Sequence, residues 1–164
     1  MRVLVAGVGN VLRGDDGFGV VVAQRLLEGS APQGVRVMET GIGGIHLVQE
    51  LMDPVDALII VDAMDVCRPA GTVVVQRPHV IDVDAMTPEQ RRDQLADMHY
   101  STPERALMLA RAIGVLPESA WVVGCQPAEL DRLGEGLSEV MEAAVDVAIR
   151  EVKAVVSDMG VAWP

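Results

Sequence analysis

Apolar and polar positions change their period several times along this chain, and the changes mark out its elements. Arg2 to Val8 is a valine-rich, mostly apolar run ended by glycines, as expected of a strand buried on both faces of a parallel sheet. From Asp15 to Gly29 the period lengthens: Val20, Ala23, Leu26 and Leu27 fall at helical spacing and a glycine closes the segment. Val35 to Glu39 reads as a short second strand, Gly43 to Met52 as a short helix, and Asp56 to Ala63 as another buried strand. This β-α-β-α-β succession is the pattern of a doubly wound sheet.

The second half is less regular. Pro69-Ala70-Gly71 predicts a turn before Thr72 to Gln76, whose three valines suit an antiparallel hairpin partner at a sheet edge. Arg77 to Tyr100 shows little periodicity and predicts a long exposed connection with a helical turn near Glu89 to Leu95; long connections of this kind often carry function. Ser101 to Glu104, with Pro103 in the first turn, starts a helix over Ala106 to Ile113, and Ala120 to Gly124 supplies a last buried strand. Leu137, Met141, Ala144, Val145, Ala148, Val152 and Val155 line one face of a long closing helix. The tail around Trp163 has no periodicity and is expected to be frayed or loosely packed. The expected fold is α/β: a three-layer α/β/α domain over residues 1–164, with a five-stranded, mostly parallel, twisted sheet and helices on both faces.

Composition narrows the functions available. The chain has 164 residues, half of them hydrophobic, which suits one domain with one core. With 13 Lys and Arg against 24 Asp and Glu, its formal charge of −11 repels phosphate backbones and anionic lipid, so no nucleic-acid or membrane partner is expected. Only four residues are aromatic, too few for a base-stacking platform. Cys67 and Cys125 form no disulfide framework and are expected to be reduced thiols. The opening apolar run is short and soon meets Arg13, Asp15 and Asp16, so it reads as a strand of a cytoplasmic protein, not a signal peptide. No apolar run approaches the roughly 20 residues of a bilayer span.

Candidate chemistry is concentrated between the first strand and first helix, in Gly7-Val8-Gly9-Asn10 through Asp15-Asp16-Gly17-Phe18-Gly19. Loops at the carboxyl ends of strands form the ligand crevice of an open α/β sheet. A dinucleotide fingerprint would need glycine at Leu12 and would place a pyrophosphate against two carboxylates, although Glu39 suits a ribose contact. Asp15 and Asp16 also suit a structural role, Asp15 as cap and Asp16 in the first turn of the helix. Asp62 stands at the carboxyl end of an otherwise apolar strand, where an ionised carboxylate must reach solvent or find a partner. Asp65 reads as a solvated loop cap and Asp56 as exposed. His46 and His79 read as surface or packing residues, whereas His99 precedes a helix start that would face the crevice. Two carboxylates and one imidazole on one rim would make an O,O,N site for a borderline divalent metal, with positions left open for substrate or water. Cys125 reads as a buried small hydrophobe.

These residues resemble the hydrogenase maturation endopeptidases, proteases that trim the C-terminal extension of the nickel-iron hydrogenase large subunit. The opening motif of that family, G-x-G-N with an acidic pair and G-x-G, matches Gly7, Gly9, Asn10, Asp15, Asp16, Gly17 and Gly19. Its third strand ending in Asp-Ala matches Asp62-Ala63, its loop histidine matches His99, and its Val-Gly-x-x-Pro and Gly-Leu-Ser matches Val123, Gly124, Pro127 and Gly136 to Ser138. The resemblance covers essentially the whole chain. It implies that Asp16, Asp62 and His99 are the metal-binding and catalytic residues. It further implies that nickel arrives already installed in the large-subunit precursor, with no organic cofactor, and that cleavage depends on correct loading. Where relatives carry Asp-Gly-Gly-Thr after strand 2, this chain has Glu39-Thr40-Gly41-Ile42. A monomer is expected. The rival readings are a dinucleotide-binding α/β enzyme and a non-catalytic maturation scaffold. Whether nickel polarises the scissile carbonyl, binds the attacking water, or leaves a carboxylate to act as base stays open at this stage.

Overall fold

Side chains alternate sides along a strand, and in the first and third strands both sides are apolar. In the computed structural model, which describes residues 1–90, 92, 102–129 and 132–164, this alternation builds two cores on one sheet. Val3, Val5, Ile59 and Val61 face one way, into a cluster with Phe18, Val22 and Leu26 from α1 (Phe18–Glu28) and Met141, Val145, Ala148 and Val152 from the closing helix (Glu139–Asp158). Leu4, Ala6, Leu58 and Ile60 face the other, against Leu47 and Leu51 of α2 (Gly44–Leu51) and Leu107 and Ala110 of α3 (Pro103–Ala112). The closing helix is α4. Among the described residues, two helices on each face make the three-layer α/β/α domain expected.

The strands are β1 (Val3–Val8), β2 (Val35–Gly41), β3 (Ala57–Ala63), β4 (Val73–Gln76) and β5 (Ser119–Cys125), in the order β2-β1-β3-β5-β4. The four long ones run parallel. β4 is the antiparallel edge strand, but it pairs with β5, Val73 opposite Cys125 and Gln76 opposite Val122, and not with the strand that precedes it. Because β2 and β3 lie on opposite sides of β1, the strand order reverses between β1 and β3. The loops after these two strands therefore diverge around a crevice.

The first turn of the first helix winds differently from expectation. Gly14–Gly17 forms a 3-10 turn, and the α-helix begins only at Phe18. The tail differs too: Trp163 is buried in the α1/α4 core, with Lys153 above its ring and donating to the Pro164 carbonyl. One large aromatic surface removed from water is enough to dock a segment that has no periodicity. Ahead of α3, Thr87 and Gln90 exchange reciprocal bonds, Gln90 N–H to Thr87 Oγ1 at 3.2 Å and Thr87 N–H to Gln90 Oε1 at 3.0 Å, with Pro88 between them. That capping box opens a helical turn at Pro88 to Gln90; most of the turn expected over Glu89 to Leu95 lies outside the described residues.

Candidate active site

The loop after β1 is rich in glycine because backbone packs on backbone there. A Cβ on Gly19 would lie 2.0 Å from the Val61 carbonyl oxygen, and one on Gly7 would lie 2.1 Å from that of Gly19. Gly9, at φ +134°, has the Asp16 carbonyl oxygen 1.8 Å from where its Cβ would be. The space that a dinucleotide fingerprint leaves for a pyrophosphate is thus filled by the chain itself. Glu39, the candidate ribose ligand, accepts a bond from Gln24 at 3.0 Å.

Folded back in this way, the loop presents its two aspartates in opposite directions. Asp15 is 1% exposed and points toward the end of the chain. Its carboxylate accepts the N–H groups of Ala128 (3.0 Å), Glu129 (3.2 Å) and Ser138 (2.7 Å) and the hydroxyl of Ser138 (3.0 Å). Burial alone would raise its pKa, but these donors outweigh burial and hold it below the ordinary value. Asp15 therefore does not cap the helix that follows it; it ties the β1 loop to the β5 loop and to the N-terminal cap residue of α4. Asp16 points the other way, partly exposed, with Oδ2 accepting the Asn10 N–H at 3.1 Å.

Asp62 stands on β3 opposite Gly124 of β5, at the reversal of strand order, on the side that packs against α3. Burial pushes its carboxyl well above the ordinary range, and the negative charges of Asp16 and Glu104 push it further, against one bond from the Ala63 N–H. It borders a cavity of about 170 Å³ walled by Ile60, Met64, Leu107 and Val122, with His79 and Glu104 at its margin. The fold thus brings Asp16 and Asp62 to one crevice. His99, the third expected residue, lies outside the described residues. Among the described residues no group of three His, Cys, Asp or Glu side chains is arranged to hold a metal ion.

The remaining candidates lie outside the cavity that Asp62 borders. His46 is exposed and lies 3.5 Å from Glu50 on its own helix, Asp65 accepts the Cys67 N–H at 2.9 Å, and Asp56 accepts the Arg2 N–H at 2.6 Å. Cys125 is fully buried, its thiol pushed up to about 11 by burial and by the charge of Asp15. Two neighbours of Asp62 escaped the sequence reading. Glu104 reads in sequence only as part of a helix start, and His79 only as a loop residue. A larger groove of about 530 Å³, lined by Arg77 and Arg111, lies near the start of β5 and contains none of these residues. Its guanidiniums are already engaged, Arg77 with the Glu118 and Ala120 carbonyls and Arg111 with the Val80 carbonyl and Asp82.

The segment that departs from the resembling family has a defined structural part. Gly7 pairs with Glu39 and Val8 with Gly41, so Thr40 is the extra residue of a bulge. Its hydroxyl turns inward and donates to the Gly7 carbonyl at 3.1 Å.

The three-layer α/β/α fold, with Asp16 and Asp62 brought together where the strand order reverses, places the candidate site in the crevice at the carboxyl ends of the strands, where α/β domains bind their ligands. The comparisons specify the class. Residues 20–155 match the HycI model, described as hydrogenase maturation protease. The hydrogenase expression/formation protein HupM of Azotobacter chroococcum is 35% identical over 161 residues, covering 98% of this chain and 74% of that one. HupD of Rhodobacter capsulatus is 34% identical over 151 residues, covering 92% and 69%. Among solved structures, the hydrogenase maturating endopeptidase HybD of Escherichia coli superposes with a TM-score of 0.77 at 28% identity, covering 99% of this chain and 96% of that one. A hydrogenase 2 maturation peptidase from a Thaumarchaeota archaeon superposes with a TM-score of 0.68 at 33% identity, covering 98% and 99%. The chain belongs to the hydrogenase maturation protease family, and it is a peptide-bond hydrolase.

Proposed function

We propose that this protein removes the C-terminal extension of a nickel-iron hydrogenase large-subunit precursor once nickel has been inserted, and that Asp16, Asp62 and His99 recognise the nickel that the precursor carries. The observation that carries this reading is the electrostatic state of Asp62. It is half-buried at the edge of a cavity, and among the described residues the charges that act on it are negative, those of Asp16 and Glu104. A divalent cation arriving with the substrate relieves that repulsion and draws Asp62 into its ionised form. Oxygen donors with an imidazole suit such an ion. Bound there, it supplies Lewis-acid character beside the scissile bond. The part played by this chain is to hold the two carboxylates, Asp16 on a loop fixed by backbone contacts and Asp62 near the end of β3, at the place where the cation must come to rest. A nickel-free precursor brings no such charge, so cleavage is gated by loading. The protein acts in the cytoplasm, as a monomer and without an organic cofactor; the two free cysteines, one exposed and one buried, suit a reducing compartment.

The test is incubation with cognate precursor in nickel-loaded and nickel-free form, with intact masses recorded. Loss of a C-terminal peptide from the loaded form alone is expected. Equal cleavage of both forms would overturn gating, and binding of the loaded form without cleavage would favour a maturation scaffold.

A further inference from the structure

Eleven large apolar side chains are exposed among the described residues, and five of them lie on three loops at the carboxyl ends of the strands or in the helix turn that follows. Val11 and Leu12 lie on the β1 loop that carries Asp16, Ile42 and Ile45 lie where β2 passes into α2, and Leu133 lies on the loop after β5. Leu12, Ile42, Ile45 and Leu133 are 58%, 63%, 53% and 85% exposed. Exposed apolar side chains scattered singly call for no explanation, but a group on one rim marks an interaction surface.

The three loops are bound together by main chain. Gly9 N–H donates to the Gly41 carbonyl at 3.1 Å, joining the β1 and β2 loops. Arg13 and Gly134 form a parallel bridge, with Gly14 N–H to the Gly134 carbonyl at 2.8 Å and Gly134 N–H to the Leu12 carbonyl at 3.0 Å. That bridge sets Leu133 beside Leu12. Asp15 fixes the same two loops from beneath. A surface held in this way loses little conformational freedom when it is covered.

We propose that Val11, Leu12, Ile42, Ile45 and Leu133 form a docking face for an apolar patch on the folded body of the substrate protein, distinct from the crevice that takes the scissile bond. This rests on the reading of the chain as a precursor-processing protease. The substrate is the occupant because Val11 and Leu12 share the short loop that carries Asp16, so a chain brought to Asp16 comes alongside this face. A second copy of this chain is disfavoured by charge: with a net charge of −11, a symmetric pairing through this rim would bring the Asp16 and Asp62 crevices together.

The test compares Leu12→Glu, Ile42→Glu and Leu133→Glu with Leu27→Glu and Met52→Glu, which alter exposed apolar residues at the far ends of α1 and α2. Cleavage of loaded precursor is measured over a range of precursor concentrations, and the association state by sedimentation. All five sites are exposed, and thermal unfolding verifies the fold; Leu133→Ser serves as a milder variant. The rim variants are expected to raise KM by about tenfold or more, with a smaller change in kcat and a monomer throughout, and the far-end variants to leave KM within about twofold of wild type. KM unchanged in the rim variants would overturn the docking face. A wild-type dimer that the rim variants convert to monomers without altering KM would assign the face to self-association instead. Failure of wild type to process loaded precursor would instead bring down the activity reading on which the docking face rests.

Discussion

Asp15, buried, and Asp62, half-buried, are carboxylates at the same edge of the same sheet, and the protein treats them in opposite ways. Asp15 is surrounded by four donors, three from main chain, and stays ionised despite its burial. Among the described residues Asp62 has one main-chain donor and two negative neighbours, so its charge is opposed. A satisfied buried charge holds structure together; an opposed one stores a demand that a ligand can meet. The adjacent Asp16 shares a loop with the first and a crevice with the second, so the fastened carboxylate positions the two that are proposed to act.

The comparison can be broken most directly at the crevice. Replacing Asp16 with Asn is expected to lower the processing rate by more than about 100-fold, since changes even to the outer partners of metal ligands typically cost 10–100-fold, while the melting temperature changes little. Precursor cleavage and thermal unfolding measure the two effects. Asp15→Ala should act chiefly on stability: it leaves the Ala128, Glu129 and Ser138 donors without their acceptor, at a cost of roughly 3 kcal/mol or more, read by denaturant unfolding. Gly9→Ala places a Cβ against the Asp16 carbonyl at a positive φ, which costs on the order of 1–3 kcal/mol and displaces Asp16. Reduced stability together with reduced processing is expected, and an unchanged variant would show that the loop does not need glycine there.

The subtlest effect is in pH. Asp15, whose folded pKa is lowered, stabilises the fold above its ordinary value of 3.8, and that contribution is lost as pH falls through the folded value. Asp62, whose folded pKa is raised, favours the fold fully below 3.8, and that contribution is lost as pH rises through the folded value. Unfolding measured from pH 3 to pH 8 should therefore show Asp15→Asn diminishing the rise of stability in the acid range, and a variant at Asp62 diminishing the decline that sets in above it.

Much of the fold was legible because strand alternation and helical spacing are local signals. Val3, Leu4, Val5 and Ala6 alternate between two cores whose helices declare themselves by their own periodicity. Asp62 was legible as one polar residue at the end of an apolar strand. Other features depend on partners far away in sequence. Asp15 reads as a cap of its own helix because nothing nearby reveals donors 113 to 123 residues onward. The pairing of β4 with β5 and the bulge at Thr40 arise from register across strands, which local composition does not encode. Glu104 and His79 line the cavity beside Asp62 from a helix start and a loop, positions where charge and imidazole usually mean solvent. Trp163 is a single anchor and has no period to read.

The central claim is that Asp62 is held in an environment that opposes its charge, and that a cation carried by the substrate meets this demand. The most direct measurement is Asp62→Asn examined twice at pH 8, by denaturant unfolding and by cleavage of nickel-loaded precursor. A variant more stable than wild type and unable to process the precursor is the predicted result. A variant that is less stable, or that cleaves at the wild-type rate, would contradict the account.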